Sequence, residues 1–364
     1  MLPLEGLVVI AIEQAVAAPY ASSRLADAGA QVIKIERPEG DFARGYDDVA
    51  QGQSSYFVWL NRGKETRTLD LTLAEDKETL KELISSADVM IQNLKPGALA
   101  RLGIDPAQLR KQDPRLISCS ISGFGEEGPL ADRKAYDLLI QAESGLCSIT
   151  GGPSEPARVG ISIVDIATGA CAYEAILEAL IRRGVTGKGA EISVSMFDVI
   201  ADWLTVPLLN HEGGESPKRI GLAHPSIAPY GVYEPKSGRP ILISIQSDRE
   251  WAILCSEFIG DRSLIDDPCY ATNVARVANR ADTDAIVGKA FSRFDAQEAE
   301  KLLSKANIAF ASVNDMNGLA NHPHLRRITV DSPGGSINYP APGARFIGEE
   351  RSYGPVPPLN TRKQ

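Results

Sequence analysis

The stretch GLVVIAIEQAVAAPYASSRLADAGAQVIKIERP, residues 6–38, decides the fold. Its first part, GLVVIAIEQ (6–14), is a short β-branched run, and APYASSRLADAGA (18–30) follows with helical spacing and ends near Gly29. QVIKIERP (31–38) is a second β-branched run, closed by Pro38. Two strands joined by a helix form a βαβ unit, which requires a parallel sheet covered by helices.

The pattern continues outward. TRTLDLT (66–72), DVMIQNL (88–94), RLISCSISGFG (115–125) and AEISVSMFDV (190–199) read as further strands or strand-to-helix joins. AEDKETLKELISSA (74–87), ALARLG (98–103) and TGACAYEAILEALIRRG (168–184) read as helices. Residues 210–240 are dense in Gly and Pro and mark a boundary or a functional loop. A smaller mixed region follows, with helices expected near 249–259 and 284–305. The tail is too polar and proline-rich for a core of its own and is expected to run back over another part. The expected organisation is a large α/β domain from 1–200 and 330–364, a small α+β domain over 225–315, and linkers over 201–224 and 316–329.

Composition narrows the function. With 364 residues the chain exceeds one ordinary core, and 43% hydrophobic with 23% charged residues is globular. No run approaches the ~20 apolar residues of a membrane span. The opening MLPLEGLVVIAIEQ has neither a signal-peptide nor a transit pattern, so a cytoplasmic protein is expected. A net charge of −9 argues against nucleic acid as a partner. It leaves room for a small anion, because Lys34, Arg37, Arg44, Arg62, Lys64, Arg67, Lys95 and Arg101 all come from one early stretch. The five cysteines lack a C-x-x-C and suit reduced, buried thiols. The four histidines all lie beyond residue 210, and HPHL (322–325) has no cysteine or carboxylate set to make a metal site.

Several chemistries fail at their motifs. The turn after the first strand has no G-x-G-x-x-G, so a nicotinamide enzyme is disfavoured although Glu36 stands where a ribose-binding acid would. A P-loop and a G-x-S-x-G elbow are both absent. Carboxylates near Gly-rich turns remain: Asp137, Glu143 and Asp165. On spacing alone Asp165 reads first as a helix cap, worth ~1 kcal/mol and several times commoner than a catalytic carboxylate, and composition cannot separate that from a reacting group.

Eight segments in order break the tie: residues 3–44 around the opening unit, YFVWLNRGKETRTLDL (56–71), QNLKPGALARLGID (92–105), SGFGEEGP (122–129), AYDLLIQAESGL (135–146), VGISIVDIATG (159–169), GKGAEISVSMFDV (187–199) and APYGVY (228–233). Together they resemble the class III CoA-transferases of the CaiB/BaiF type, a family that also holds formyl-CoA transferases and α-methylacyl-CoA racemases. The resemblance covers nearly the whole chain and is nearest to the branch acting on C4–C5 dicarboxylates such as mesaconyl-, itaconyl-, citramalyl- or succinyl-CoA.

The resemblance implies that Asp165 is the nucleophile, carrying an anhydride and then an aspartyl-CoA thioester. Acyl-CoA and a small carboxylic acid are then the substrates, with no tightly bound cofactor and no metal. It places CoA contacts at Gln14, Ala15, Val16, Arg37, Asn93, Arg101 and Lys134, with Tyr136 and Asp137 beside them. A distal carboxylate would fall to Arg44, Arg62 or Arg158. Backbone N–H groups of a helix expected to begin after Asp165 would face the oxyanion, and HEGGESP (211–217) would be the lid. The family's chains fold as a Rossmann-like large domain and a smaller one, interlocked as a ring-like homodimer. Val16 stands where formyl-CoA transferases carry glutamine, which disfavours formyl and oxalyl substrates. Tyr136 stands where the racemases carry histidine; a phenol of pKa ~10 is a poor base at neutral pH, which favours transfer. The alternatives are racemisation on the same fold and a non-catalytic CoA-binding protein.

Overall fold

Alternation builds the sheet. In the computed structural model, which describes residues 2–359, the elements to residue 212 run β1 (Val8–Ile12), α1 (Ala17–Asp27), β2 (Gln31–Glu36), α2 (Ser55–Asn61), β3 (Lys64–Thr68), α3 (Ala74–Ser85), β4 (Val89–Gln92), α4 (Ala98–Arg101), α5 (Pro106–Gln112), β5 (Ile117–Ser122), α6 (Asp137–Glu143), α7 (Leu146–Ile149), α8 (Ile163–Thr186), β6 (Glu191–Ser195), α9 (Met196–Trp203) and α10 (Thr205–Glu212). Val9 and Ala11 of β1 face one layer, with α1 and α8, while Ile10 and Ile12 face the other, with Leu80 and Ile84 of α3. Both faces are covered, as a parallel sheet requires.

The six strands are all parallel, in the order β3-β2-β1-β4-β5-β6. Chain direction across the sheet reverses between β1 and β4. Such a switch point opens a crevice at the carboxyl ends of the strands, where ligands bind.

The chain divides into two units. One takes everything described up to Ser148, then Arg158–Gly213 and the chain from Arg326; the other takes Ile149–Ala157 and Gly214–Leu325. The expected linkers therefore fall differently. Residues 201–224 are largely helical to Glu212, because Pro207 sits in the first turn of α10, where a missing N–H costs nothing. Residues 316–329 hold a short helix, Met316–Ala320, and the start of a strand. The second unit carries an antiparallel sheet of β7 (Tyr230–Tyr233), β8 (Ile241–Ser244) and β9 (Ala309–Ser312) over a core of Trp251, Phe258, Phe291 and Leu303.

The tail does return. An antiparallel pair, β10 (Arg327–Val330) and β11 (Ile337–Pro340), precedes a segment in which Val356 packs with Phe57 and Val58. Pro355 accepts from the Gly63 N–H at 2.8 Å, and Pro358 from the Thr66 hydroxyl at 3.0 Å, so this segment lines the β3 edge. Residues 360–364 of the expected return segment, and residue 1, lie outside the described residues. Among the cysteines, Cys119 and Cys255 are buried, but Cys269 is exposed, contrary to expectation.

Candidate active site

The candidate carboxylate, Asp165, is placed by two helices. Asp165 lies in the first turn of α8, and the cap position is Ser162, whose side chain makes no capping bond. The cap comes from across the chain. Asp137, in the first turn of α6, accepts from the Val164 N–H at 2.8 Å and the Asp165 N–H at 3.2 Å. Gln141, one turn on, donates to the other Asp137 oxygen at 2.7 Å and accepts from the Val159 N–H at 2.9 Å.

Two expectations are corrected here. Asp165 is not the cap, and α8 begins before it, so the Val164 and Asp165 N–H groups are spent on Asp137 and do not face an oxyanion. Capping frees the Asp165 side chain, which makes no hydrogen bond or ion pair among the described residues. A helix N-terminus ordinarily favours an ionised carboxylate. Burial, and after it the neighbouring Asp137 charge, outweigh this and push Asp165 up to about 7.

Gly169, the last residue of the VGISIVDIATG stretch, sets the approach of α8 to α1. A Cβ at this position would sit 2.5 Å from the Ala17 carbonyl oxygen and 2.8 Å from the Tyr20 Cβ. Only glycine brings Asp165 this near the start of α1.

Asp165 opens on a cleft of about 470 Å³, within the ~300–1,000 Å³ of small-molecule sites. Gln14, Ala15 and Val16 after β1, Asn93 after β4, and Lys134, Tyr136, Asp137 and Arg158 all line it. Asn93 is tied to the loop: its side chain accepts from the Gln14 N–H at 3.0 Å and donates to the Gln14 carbonyl at 2.8 Å. Tyr136 is 61% exposed. Lys134 and Arg158 have no carboxylate partner among the described residues.

A second cleft of about 510 Å³ adjoins the first through Gln14 and Leu94 and is lined by Arg37, Glu36 and Gly40. Arg37 donates to the Gly40 carbonyl at 3.0 Å. Arg101 lines neither cleft; it reaches back to the Pro96 carbonyl at 3.3 Å.

Two substrate candidates are corrected. Arg44 grips Glu36 through two bonds of 2.8 Å and lies 3.7 Å from the Phe57 ring. Arg62 is buried and paired with Asp27, to which its Nε donates at 2.9 Å. Both are committed structurally, and neither lines the cleft of Asp165. The first two residues of HEGGESP belong to α10.

Sequence reasoning missed an aromatic wall. Phe42, Tyr46 and Tyr56 line the cleft, with Tyr46 packed edge-on to Tyr56 at 5.6 Å between centroids and the Tyr56 hydroxyl 3.1 Å from that of Ser162. Burial, then nearby acids including Asp41 and Asp165, push the Tyr46 phenol up to about 12, so it stays protonated. The signal was present in GDFARGYDD (40–48), whose aromatics are spaced for a short turn rather than a strand.

Fold and site together define an α/β enzyme whose cleft lies at the switch point of its parallel sheet. Comparison with known proteins supplies the chemistry. The description CoA-transferase family III fits residues 4–361. The acetyl-CoA:oxalate CoA-transferase of Acetobacter aceti is 37% identical over 350 residues, 95% of this chain and 90% of that protein. The succinate–glutarate CoA-transferase of Agrobacterium fabrum is 34% identical, with 94% and 88% covered. A CaiB/BaiF family structure from Brucella suis matches with a TM-score of 0.82 at 35% identity, over 96% of this chain and 94% of that one. The chain belongs to CoA-transferase family III. It is a CoA-transferase, with acyl-CoA as a substrate. No helix among the described residues is long and apolar enough to cross a membrane.

Proposed function

We propose that this enzyme moves CoA from an acyl-CoA to a C4–C5 dicarboxylate, with Asp165 as the covalent carrier. The observation that carries the reading is a partly buried carboxylate whose backbone is capped by Asp137 while its side chain faces the cleft unpaired. Ionised Asp165 attacks the thioester carbonyl and expels CoA thiolate, giving a mixed anhydride. The thiolate attacks the Asp165 carbonyl, releases the donor acid and leaves an aspartyl-CoA thioester. The acceptor carboxylate repeats both exchanges in reverse and frees Asp165. Each step trades one activated acyl group for another, so no net proton and no ATP is consumed. Water must be kept from the anhydride, and the Phe42, Tyr46 and Tyr56 wall serves that end.

Arg37 in the adjoining cleft and Lys134 at the rim are assigned to CoA phosphates, to which cations bond strongly. Gln14, Ala15 and Val16 form the wall along its thiol arm. Arg158, exposed at the cleft, takes the distal carboxylate. The names of the two relatives, acting on oxalate and on succinate and glutarate, favour diacids. A second reading, oxalate as acceptor, is favoured by the first of them and opposed by Val16. A panel of succinyl- and acetyl-CoA donors against mesaconate, itaconate, glutarate, oxalate and a monocarboxylate decides. The account expects C4–C5 diacids to lead by tenfold or more and Arg158→Ala to erase that lead; equal use of the monocarboxylate would overturn it. Incubating a 2-methylacyl-CoA in D₂O is expected to give no α-deuterium, and rapid uptake would point to racemisation, the chemistry Tyr136 disfavours.

A further inference from the structure

Ala15 lies on the cleft wall with φ at 61°, a left-handed conformation that costs a non-glycine residue ~1 kcal/mol or more. Something must hold it. The Ala15 N–H donates to Asp41 Oδ1 at 3.1 Å. The same oxygen accepts from the Ala43 N–H at 2.9 Å and so caps the turn Phe42–Gly45. One carboxylate thus pins both walls of the cleft: the Gln14–Val16 loop and the turn that carries Phe42 and leads to Tyr46.

Its other oxygen accepts from Lys34 Nζ at 2.8 Å. Lys34 also lies 3.5 Å from Glu13, which pairs with Lys64 at 2.7 Å. All these side chains are buried, two cations against two anions, beneath the first turn of α1. Burial alone would raise the Asp41 carboxyl; Lys34 and the two N–H bonds outweigh that and hold it below the usual carboxylate range. Ion pairs this deep seldom improve stability over apolar residues of equal volume. A role in placing the loop explains why the charge is there.

We propose that Asp41, neutralised by Lys34, is the positioning residue of the acyl cleft, holding the Gln14–Val16 loop and the Phe42–Gly45 turn in register with Asp165. The inference rests on the cleft being where transfer occurs.

Two charge-balanced double variants separate positioning from mere burial. D41N/K34M removes both charges but keeps a side-chain oxygen that accepts from Ala15 and Ala43. D41A/K34M removes the charges and the acceptor. Both leave the Glu13–Lys64 pair intact. Displacement of a reacting group by ~1 Å costs on the order of a hundredfold. D41A/K34M should therefore lose ~100-fold in kcat with less change in donor KM, while D41N/K34M recovers to within ~10-fold of wild type. Amide exchange should rise in D41A/K34M at 14–18 and 42–46 and stay unchanged elsewhere. Equal kcat in the two double variants, or exchange raised throughout the chain, would overturn the inference and make Asp41 a stability residue. Wild-type enzyme without any transfer would instead overturn the functional reading itself.

Discussion

On the proposed mechanism, Asp165 trades stability for reactivity. Its carboxyl titrates near 3.8 in an unfolded chain and at about 7 here. Between those values the unfolded state loses its proton first, so stability falls as pH rises from about 4 to 7 and the loss is complete above 7. At ~1.4 kcal/mol per pH unit the full cost is at most ~4.5 kcal/mol. Asp165→Asn lacks the charge, so it should melt higher than wild type at pH 8, with the difference shrinking towards pH 4, and should transfer no CoA. A variant that melts lower at pH 8, or keeps turnover, contradicts this. Attack needs the ionised form, so wild-type kcat/KM for the donor should fall about tenfold per pH unit below about 7. A profile flat down to pH 5 would mean that Asp165 is ionised well below that value.

At the scale of elements, α8 works because Gly169 lets it lie against α1. Alanine is the better helix former by ~1 kcal/mol, yet its Cβ would meet backbone at 2.5 Å, which cannot rotate away. Overpacking of this kind costs ~1–3 kcal/mol. Gly169→Ala should melt several degrees lower and lose at least tenfold in kcat, whereas Gly184→Ala, in the same helix with nothing within 4 Å, should be neutral or stabilising. Equal melting of the two would remove α1–α8 proximity from the account. The strands and long helices of this layer were legible, since β-branched alternation and 3.6-residue spacing are local properties. Short α2, SYFVWLN, was not, because its aromatic run carries no helical period and its cap is the single Ser54 bond. The pairing of Asp137 with α8 was illegible too: it joins residues 27 and 28 apart. Nor does sequence separate Arg158 from Arg44 and Arg62, because commitment to Glu36 or Asp27 is a tertiary fact.

At the scale of the whole molecule, several large apolar residues are exposed. Ile181 and Val185 of α8, with Trp203, Val206 and Leu209 of α9 and α10, are 59–85% exposed. The family resemblance implies a homodimer, and these residues are the ones we would test for its interface. Light scattering on the purified chain should give twice 39.1 kDa, and Trp203→Asp with Val206→Asp should shift it to monomer; a wild-type monomer at micromolar concentration would refute the homodimer. The net charge of −9 adds a general repulsion to anionic substrates, so the cations of the two clefts must act locally, and donor KM should rise with salt.

The central claim is that Asp165 carries CoA covalently. Intact-mass and peptide mass spectrometry of the enzyme mixed with succinyl-CoA and no acceptor tests it directly. The account predicts an adduct of CoA less water on the peptide containing Asp165, discharged by adding a dicarboxylate and absent from Asp165→Asn. Rapid transfer with no such adduct, or an adduct on another residue, would contradict it.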